Sequence, residues 1–437
     1  MLYRKSTFHY KNKIYNFGKI SFYTGTFFLA SALPIAVIFF IFSIAISIYF
    51  NRISLYKDKW NFVLLISSVL MIISSAKASF NGLPQQVGFE KSEIWLNLFN
   101  WIPQFTLFST MRVFLKTKID RIKFTKYFLT GSLPVIVSCI LQKWFNWYGP
   151  HETLNGLIVW FNEGRGDLYE TSALSGLFSN PNYTGFWLST IFPLTLGVLL
   201  YKKRSLIKNT FILTFIIVTF YLTLLTFSRN AIIGLFTSLA VILGTKIFFQ
   251  IFLISFLAML MINYISSIFL PGVSLIFLET IFPKAIISKF MVFDISNFKH
   301  WTRLVIWNNA IKLIFSRPIL GFGAVSFSLF FISKYNFGHI HNMPIQLAFD
   351  YGVPLSLLLS SFVVLLLIKS WIKLFSNGHT EINPNENIID KCWLVASLVA
   401  VLSHLNDITY YDGKISILIW IFLAGLVCIN NENTAQS

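Results

Sequence analysis

The chain has 437 residues, of which 55% are hydrophobic and only 12% charged. A soluble domain carries about 25% charged residues, so a soluble globular protein of this length is excluded. The formal net charge of +18 would suggest nucleic acid in a soluble chain. Here Lys and Arg fall mainly between apolar blocks, no basic segment interleaved with aromatics exists, and nucleic acid is excluded as a partner.

Read in chain order, the apolar blocks cover residues 27–50, 60–76, 94–115, 127–142, 183–201, 210–227, 231–245, 247–270, 345–368, 392–405 and 415–429. A transmembrane helix needs about 20 residues, with a range of about 17 to 25. Several blocks are short, and their ends must recruit flanking aromatics. The three cysteines, Cys139, Cys392 and Cys428, lie inside apolar blocks and spell neither a disulfide framework nor a thiolate metal site. The basic, polar segment from Met1 to Lys19 is not followed by a cleavage pattern and does not read as a signal peptide.

Lys and Arg assign the sides. Segments 1–20, 51–59, 116–126 and 202–209 are basic and should be cytoplasmic, whereas 77–93 and 143–182 are mixed or acidic and should lie outside. Segments 1–20 and 51–59 both read as cytoplasmic, so residues 22–50 are expected to cross twice, as a hairpin of two short helices turning near Pro34, the alternative being one helix with the N-terminus outside. The expected fold is therefore all-α: a polytopic bundle of about 12 spans, one integral membrane domain over 1–437, with both termini inside. Continued alternation puts 271–344 outside as a loop inserted between spans, 369–391 inside as a flexible loop, and 406–414 outside.

Polar residues gather on that outer side. Gly176-Leu-Phe-Ser-Asn-Pro-Asn182 is turn chemistry leading into a helix that Asn182 could cap, and its amides could contact sugar hydroxyls or phosphate. In Thr226-Phe-Ser-Arg-Asn230, Arg229 sits between two apolar helices with almost no loop. Such a guanidinium can snorkel, but on the outer side its fork makes it a phosphate ligand.

Downstream, Leu304, Trp307, Ile311 and Ile314 follow helical spacing after a capping Thr302, and Arg317-Pro318 with Gly321 and Gly323 ends that helix. An amphipathic helix in an outer loop belongs in the membrane interface, with Arg303 in its first turn. In Gly338-His-Ile-His-Asn342, two histidines precede the span that starts near Ile345. The pair is a weak metal signal, but a neutral imidazole at such a site can act as a general base near pH 7. Asn406-Asp-Ile-Thr-Tyr-Tyr-Asp-Gly413 reads as a structural turn.

This ordered series resembles the O-antigen ligase/polymerase family of bacterial envelope membrane proteins. The resemblance rests on Ser179-Asn-Pro-Asn182, Ser228-Arg-Asn230, Arg303 with Trp307, Arg317-Pro-Ile-Leu-Gly-Phe-Gly323, His339-Ile-His-Asn342, Gln346 and Gly352. It implies a glycosyltransferase in the bacterial inner membrane, its active site facing the periplasm, that works without a metal or other cofactor and inverts configuration. The donor would be a polyprenyl-diphosphate-linked glycan and the acceptor a lipid A-core sugar (for a ligase) or the growing lipid-linked repeat (for a polymerase), with membrane lipids around it. Arg229 and Arg303 would neutralise the diphosphate, and His341, with His339 close behind, would take the acceptor's proton. Asn180, Asn182, Arg317 and Asn342 would contact substrate. A transporter would place ionisable residues or broken helices at midplane, and a non-catalytic flippase or scaffold would tolerate loss of the arginines and histidines.

Overall fold

The computed structural model describes residues 2–81, 91–147, 151–153, 158–160, 173–201, 204–254, 257, 261, 302–327, 338–376 and 387–432. Most of the 247–270 block, the 271–301 and 328–337 parts of the expected outer loop and the 377–386 part of the expected inner loop lie outside them.

Helices α1 (Leu2–Phe28) and α2 (Leu33–Lys57) form a hairpin turning at 29–32 with Pro34 in the first turn of α2, but as helices of 27 and 25 residues rather than two short ones within 22–50. Ser43 Oγ donates to the Gly18 carbonyl across the pair (3.1 Å). Both helices extend beyond the apolar block, because a helix once nucleated continues through polar residues that break no backbone bond. Next come α3 (Lys59–Asn81), α4 (Lys91–Leu96) and α5 (Ile102–Met111), with a 3-10 turn between α4 and α5. The expected single span over 94–115 is thus broken, and Pro103 starts the second piece. Helices α6 (Lys118–Gly131) and α7 (Leu133–Phe145) meet at Ser132, just before Pro134. Thr117 and Asp120 form a capping box at the start of α6. A short antiparallel pair, β1 (His151–Thr153) and β2 (Ile158–Trp160), follows.

The second half contains α8 (Pro181–Tyr201), α9 (Leu206–Leu225), α10 (Arg229–Leu243), α11 (Thr245–Ile254), α12 (Thr302–Ser316), α13 (Met343–Tyr351), α14 (Val353–Trp371), α15 (Ile388–Ser403) and α16 (Gly413–Asn431). The expected span over 345–368 is two helices. Gly352 has φ +97° between α13 and α14, and a Cβ there would collide with the Ile319 carbonyl. Only glycine meets both demands.

Among the described residues seven helical stretches are long and apolar enough to cross a membrane: Leu33–Phe50, Lys59–Phe80, Lys118–Phe145, Pro181–Tyr201, Leu206–Leu225, Val353–Phe375 and Gly413–Asn431. Their outer surfaces are apolar too. Ile38, Ile41 and Phe42 on α2, Ile207, Phe211 and Ile217 on α9, and Leu357 and Leu365 on α14 are exposed. Helices apolar all round and arrayed in this way suit lipid as solvent. The chain is a multi-pass membrane protein. At the centre, α16 packs on α5, α14 and α15, and α15 packs on α8 and α10.

One end of the bundle is tied by Arg121, whose side chain is fully buried. It forms a fork with Asp390 (2.7 and 2.8 Å) and also pairs with Glu432 beyond α16. Arg112 pairs with Asp58 (2.8 Å) and Lys19 with Asp120, so Lys19, Asp58 and Arg121 of the first three basic segments are each tied into the bundle by ion pairs. The N-terminal ends of α8, α10 and α13 lie at the other end.

Candidate functional site

The site forms where four helices begin. Asn180 accepts the Asn182 backbone N–H (2.9 Å) and so caps α8. Asn182, expected as the cap, is left free to turn its amide Nδ2 to Asp407 Oδ2 (2.9 Å). The α9–α10 turn is only 226–228, with Phe227 at φ +53°, and it delivers Arg229 as the first residue of α10. It packs so tightly on α8 that a Cβ at Gly185 would lie 2.8 Å from Ser228 Cβ and 2.9 Å from Ala231 Cβ.

Arg303 sits in the first turn of α12. It is close enough to Asp407 and Arg229 to feel both charges. Burial and, to a smaller extent, Arg229 lower its pKa, while Asp407 opposes them. Helix α12 buries Ile306, Ala310 and Ile314, whereas Ile311 is 41% exposed. The buried face is therefore rotated from the 304/307/311/314 stripe expected from the sequence, because α12 packs on α13 rather than presenting its apolar face outward.

The histidines lie in the extended stretch before α13. Asn342 caps that helix, accepting the Ile345 N–H (3.1 Å), and donates to the Leu405 carbonyl (2.9 Å). His341 adopts φ +58°, a left-handed conformation that bulky residues take only when their surroundings hold them. Ile340, between the two imidazoles, is fully buried. Its N–H donates to Gln346 Oε1 and its carbonyl accepts from Trp307 Nε1, each at 2.9 Å.

The 403–408 turn joins these parts. His404 O accepts the Met343 N–H (2.9 Å), and Ser403 O accepts Asn230 Nδ2 (3.3 Å). Asp407 Oδ1 lies 2.9 Å from His341 Nδ1 and 3.6 Å from His339 Nε2. The second distance is too long for a hydrogen bond, and His339 Nε2 is a buried atom with no hydrogen-bond partner among the described residues. Burial pushes the Asp407 carboxyl up, but the two imidazoles and the Ile408 N–H outweigh it and hold the carboxyl well below the usual carboxylate range. Asp407 is thus a carboxylate. It accepts, so His341 Nδ1 carries a proton, which in the neutral ring leaves the lone pair on Nε2.

The structure therefore brings Asn182, His339 and His341 together around Asp407, with Arg303 in electrostatic reach of Asp407 and Arg229 in electrostatic reach of Arg303. Asn180 and Asn342 stand beside them as helix caps. Arg317 does not join them. It follows the far end of α12, roughly 21 Å along the axis from Arg303 at about 1.5 Å per residue, where it is exposed with its guanidinium 4.8 Å from the Phe322 ring. Asp407 is the residue that sequence reasoning missed. Its signal was a carboxylate on the same side as the arginines and histidines.

The ligating atoms of His339, His341 and Asp407 lie within 4.8 Å of one another, so these three could hold a metal ion. The guanidinium groups of Arg229 and Arg303 nearby disfavour a dication and favour an anion. Converging helix N-termini add partial positive charge of the same sign. Fold and site together define a multi-pass membrane protein that carries an imidazole–carboxylate pair with guanidinium groups in electrostatic reach. Residues 213–360 match the family model described as O-Antigen ligase. That stretch carries Arg229, Arg303, His339 and His341, and over it the chain is similar to the O-antigen ligase family. A comparison with curated proteins found no match.

Proposed function

We propose that the chain is a membrane-embedded glycosyltransferase of the ligase kind. It moves a glycan from a polyprenyl-diphosphate carrier to a hydroxyl of a lipid A-core or similar glycolipid acceptor at the periplasmic face of the inner membrane. In this reading the bundle has about 12 spans and cytoplasmic termini, with 271–344 as the periplasmic loop. The observation that carries the proposal is the 2.9 Å contact between His341 Nδ1 and Asp407 Oδ1, with Arg303 in electrostatic reach of both Asp407 and Arg229.

The chemistry follows from those groups. A glycosyl diphosphate already has a good leaving group, so the enzyme must remove a proton from the acceptor and neutralise charge on the diphosphate. His341 Nε2 takes the acceptor proton as the acceptor oxygen bonds to the anomeric carbon from the face opposite the diphosphate. The bond from anomeric carbon to phosphate oxygen breaks, its electron pair stays on the diphosphate, and configuration inverts. Arg229 and Arg303 bind the phosphate oxygens and stabilise the developing charge. Asp407 fixes the tautomer of His341 and stabilises the imidazolium. It is a poor base itself, because its affinity for a proton is depressed. No step in this scheme requires a metal. Asn182 positions Asp407 from the other side.

A polymerase would run the same chemistry with a different acceptor. The glycolipid profile of a deletion strain, read by gel and mass spectrometry, tests the proposal. Accumulation of undecorated acceptor supports a ligase, single-repeat products assign a polymerase, and an unchanged profile contradicts both.

A further inference from the structure

The peptide between the two histidines is held from both ends by side chains of different helices. Gln346 of α13 accepts the Ile340 N–H through Oε1 (2.9 Å), and Trp307 of α12 donates through Nε1 to the Ile340 carbonyl (2.9 Å). Gln346 has a second contact that decides which way its amide faces. Its Nε2 lies 3.0 Å from each oxygen of Asp350, one turn on. A carboxyl group in this place keeps the NH2 on its own side and so points Oε1 at Ile340. Ile340, Gln346 and Asp350 are all buried.

The base of this device is fixed as well. The 318–323 loop after α12 bonds to the end of α13: Phe322 N–H to the Phe349 carbonyl (2.8 Å) and Gly323 N–H to the Asp350 carbonyl (2.8 Å). The Val353 N–H returns to the Pro318 carbonyl (2.8 Å). Helices α12 and α13 are thereby joined at both ends, and they share a cluster of Ile306, Ala310, Ile314, Ile340 and Phe349. The first helix carries Arg303 at its start and the second carries the histidines just before its start.

We infer that Asp350 and Gln346 are positioning residues, which together with Trp307 aim the His339–His341 stretch at the acceptor and lock it to Arg303. This inference rests on the proposed role of His341 as base. A misplacement of about 1 Å at a reacting group costs about 10²-fold in rate, so positioning of this kind shows in turnover and not in donor binding. Without the carboxyl of Asp350, the Gln346 amide is free to flip and place its NH2 against the Ile340 N–H, a donor facing a donor.

The test uses the full-length protein in detergent, measuring transfer from a purified lipid-linked donor together with binding of a labelled polyprenyl diphosphate. Asp350→Asn still offers Gln346 an acceptor and should retain kcat within about 3-fold. Asp350→Leu and Gln346→Leu should each lower kcat by about 10²-fold with polyprenyl diphosphate binding within 2-fold of wild type. If either Leu variant fails to insert and elute normally, Trp307→Phe, which loses only the N–H, takes its place and should lower kcat about 10-fold with binding unchanged. Equal kcat for Asp350→Asn and Asp350→Leu, or parallel loss of kcat and binding, overturns the inference. His341→Ala run alongside separates the layers. If it keeps full turnover, the proposed base fails. If it loses turnover while Gln346→Leu does not, only the positioning role fails.

Discussion

Replacing Asp407 with Asn tests the imidazole–carboxylate pair while barely changing shape. Asp407 Oδ1 accepts the His341 Nδ1 proton (2.9 Å) and the Ile408 N–H (2.9 Å), and Oδ2 accepts from Asn182 (2.9 Å). An Asn has one acceptor atom for these demands. If its carbonyl stays with Asn182, its NH2 faces His341 Nδ1, which must then accept. The ring proton moves to Nε2 and the lone pair that takes the acceptor's proton is lost. If the amide flips, Asn182 faces a second NH2 and its contact with residue 407 is lost. General base catalysis is worth about 10²- to 10⁴-fold, so kcat should fall by that range, or roughly 3–5.5 kcal/mol of barrier. Donor affinity should hold or rise, because a negative charge has left the neighbourhood of Arg303. The assay is single-turnover glycan transfer by purified protein with donor binding measured in parallel. Wild-type kcat, or donor binding lost together with kcat, would refute the role given to Asp407.

Arg303→Ala and Arg229→Ala should each weaken binding of a polyprenyl diphosphate by about 10–10²-fold, the worth of a charge-assisted bond of about 1.5–3 kcal/mol. Lys at either position should restore part of it, since Lys keeps the charge without the fork; calorimetry or ligand-shifted melting reads the difference. Arg121→Ala strands the buried Asp390 carboxylate at the opposite end of the bundle and should cost about 3–5 kcal/mol of stability. Turnover per folded molecule should stay normal, as thermal melting beside activity will report. Because Asp407 has a depressed pKa when folded, its contribution to stability is fully present above the ordinary carboxylate range and is lost only as pH falls through the folded value. The difference in melting temperature between wild type and Asp407→Asn should thus not shrink from pH 7 to about pH 5 and should close only in stronger acid; a gap closing between pH 7 and 6 would contradict it.

Much of this arrangement is legible in the sequence. The spacing of Lys and Arg groups the loops near Asp58, Arg112 and Arg121 on one side and leaves Arg229, Arg303 and the histidines on the other. Pro34 betrays the α1–α2 hairpin. What escapes are contacts that hydropathy cannot carry. Asp407 reads as a turn residue because its partners are 66 and 225 positions away. The breaks at Ser132 and Gly352 lie within mainly apolar runs and are marked by Gly131 and Pro134 and by Gly352 and Pro354. Arg317 shares a motif with Arg303, but one helix length separates them. The apolar face of α12 is turned because its neighbour is the buried side of α13, which no periodicity within α12 records.

Glycan transfer by the purified protein, with a lipid-linked donor and a glycolipid acceptor in detergent, tests the central claim most directly when wild type is compared with His341→Ala. The expected result is transfer with inversion by wild type, and a fall of at least 10²-fold for His341→Ala with polyprenyl diphosphate binding intact. Equal transfer by the two proteins would contradict it.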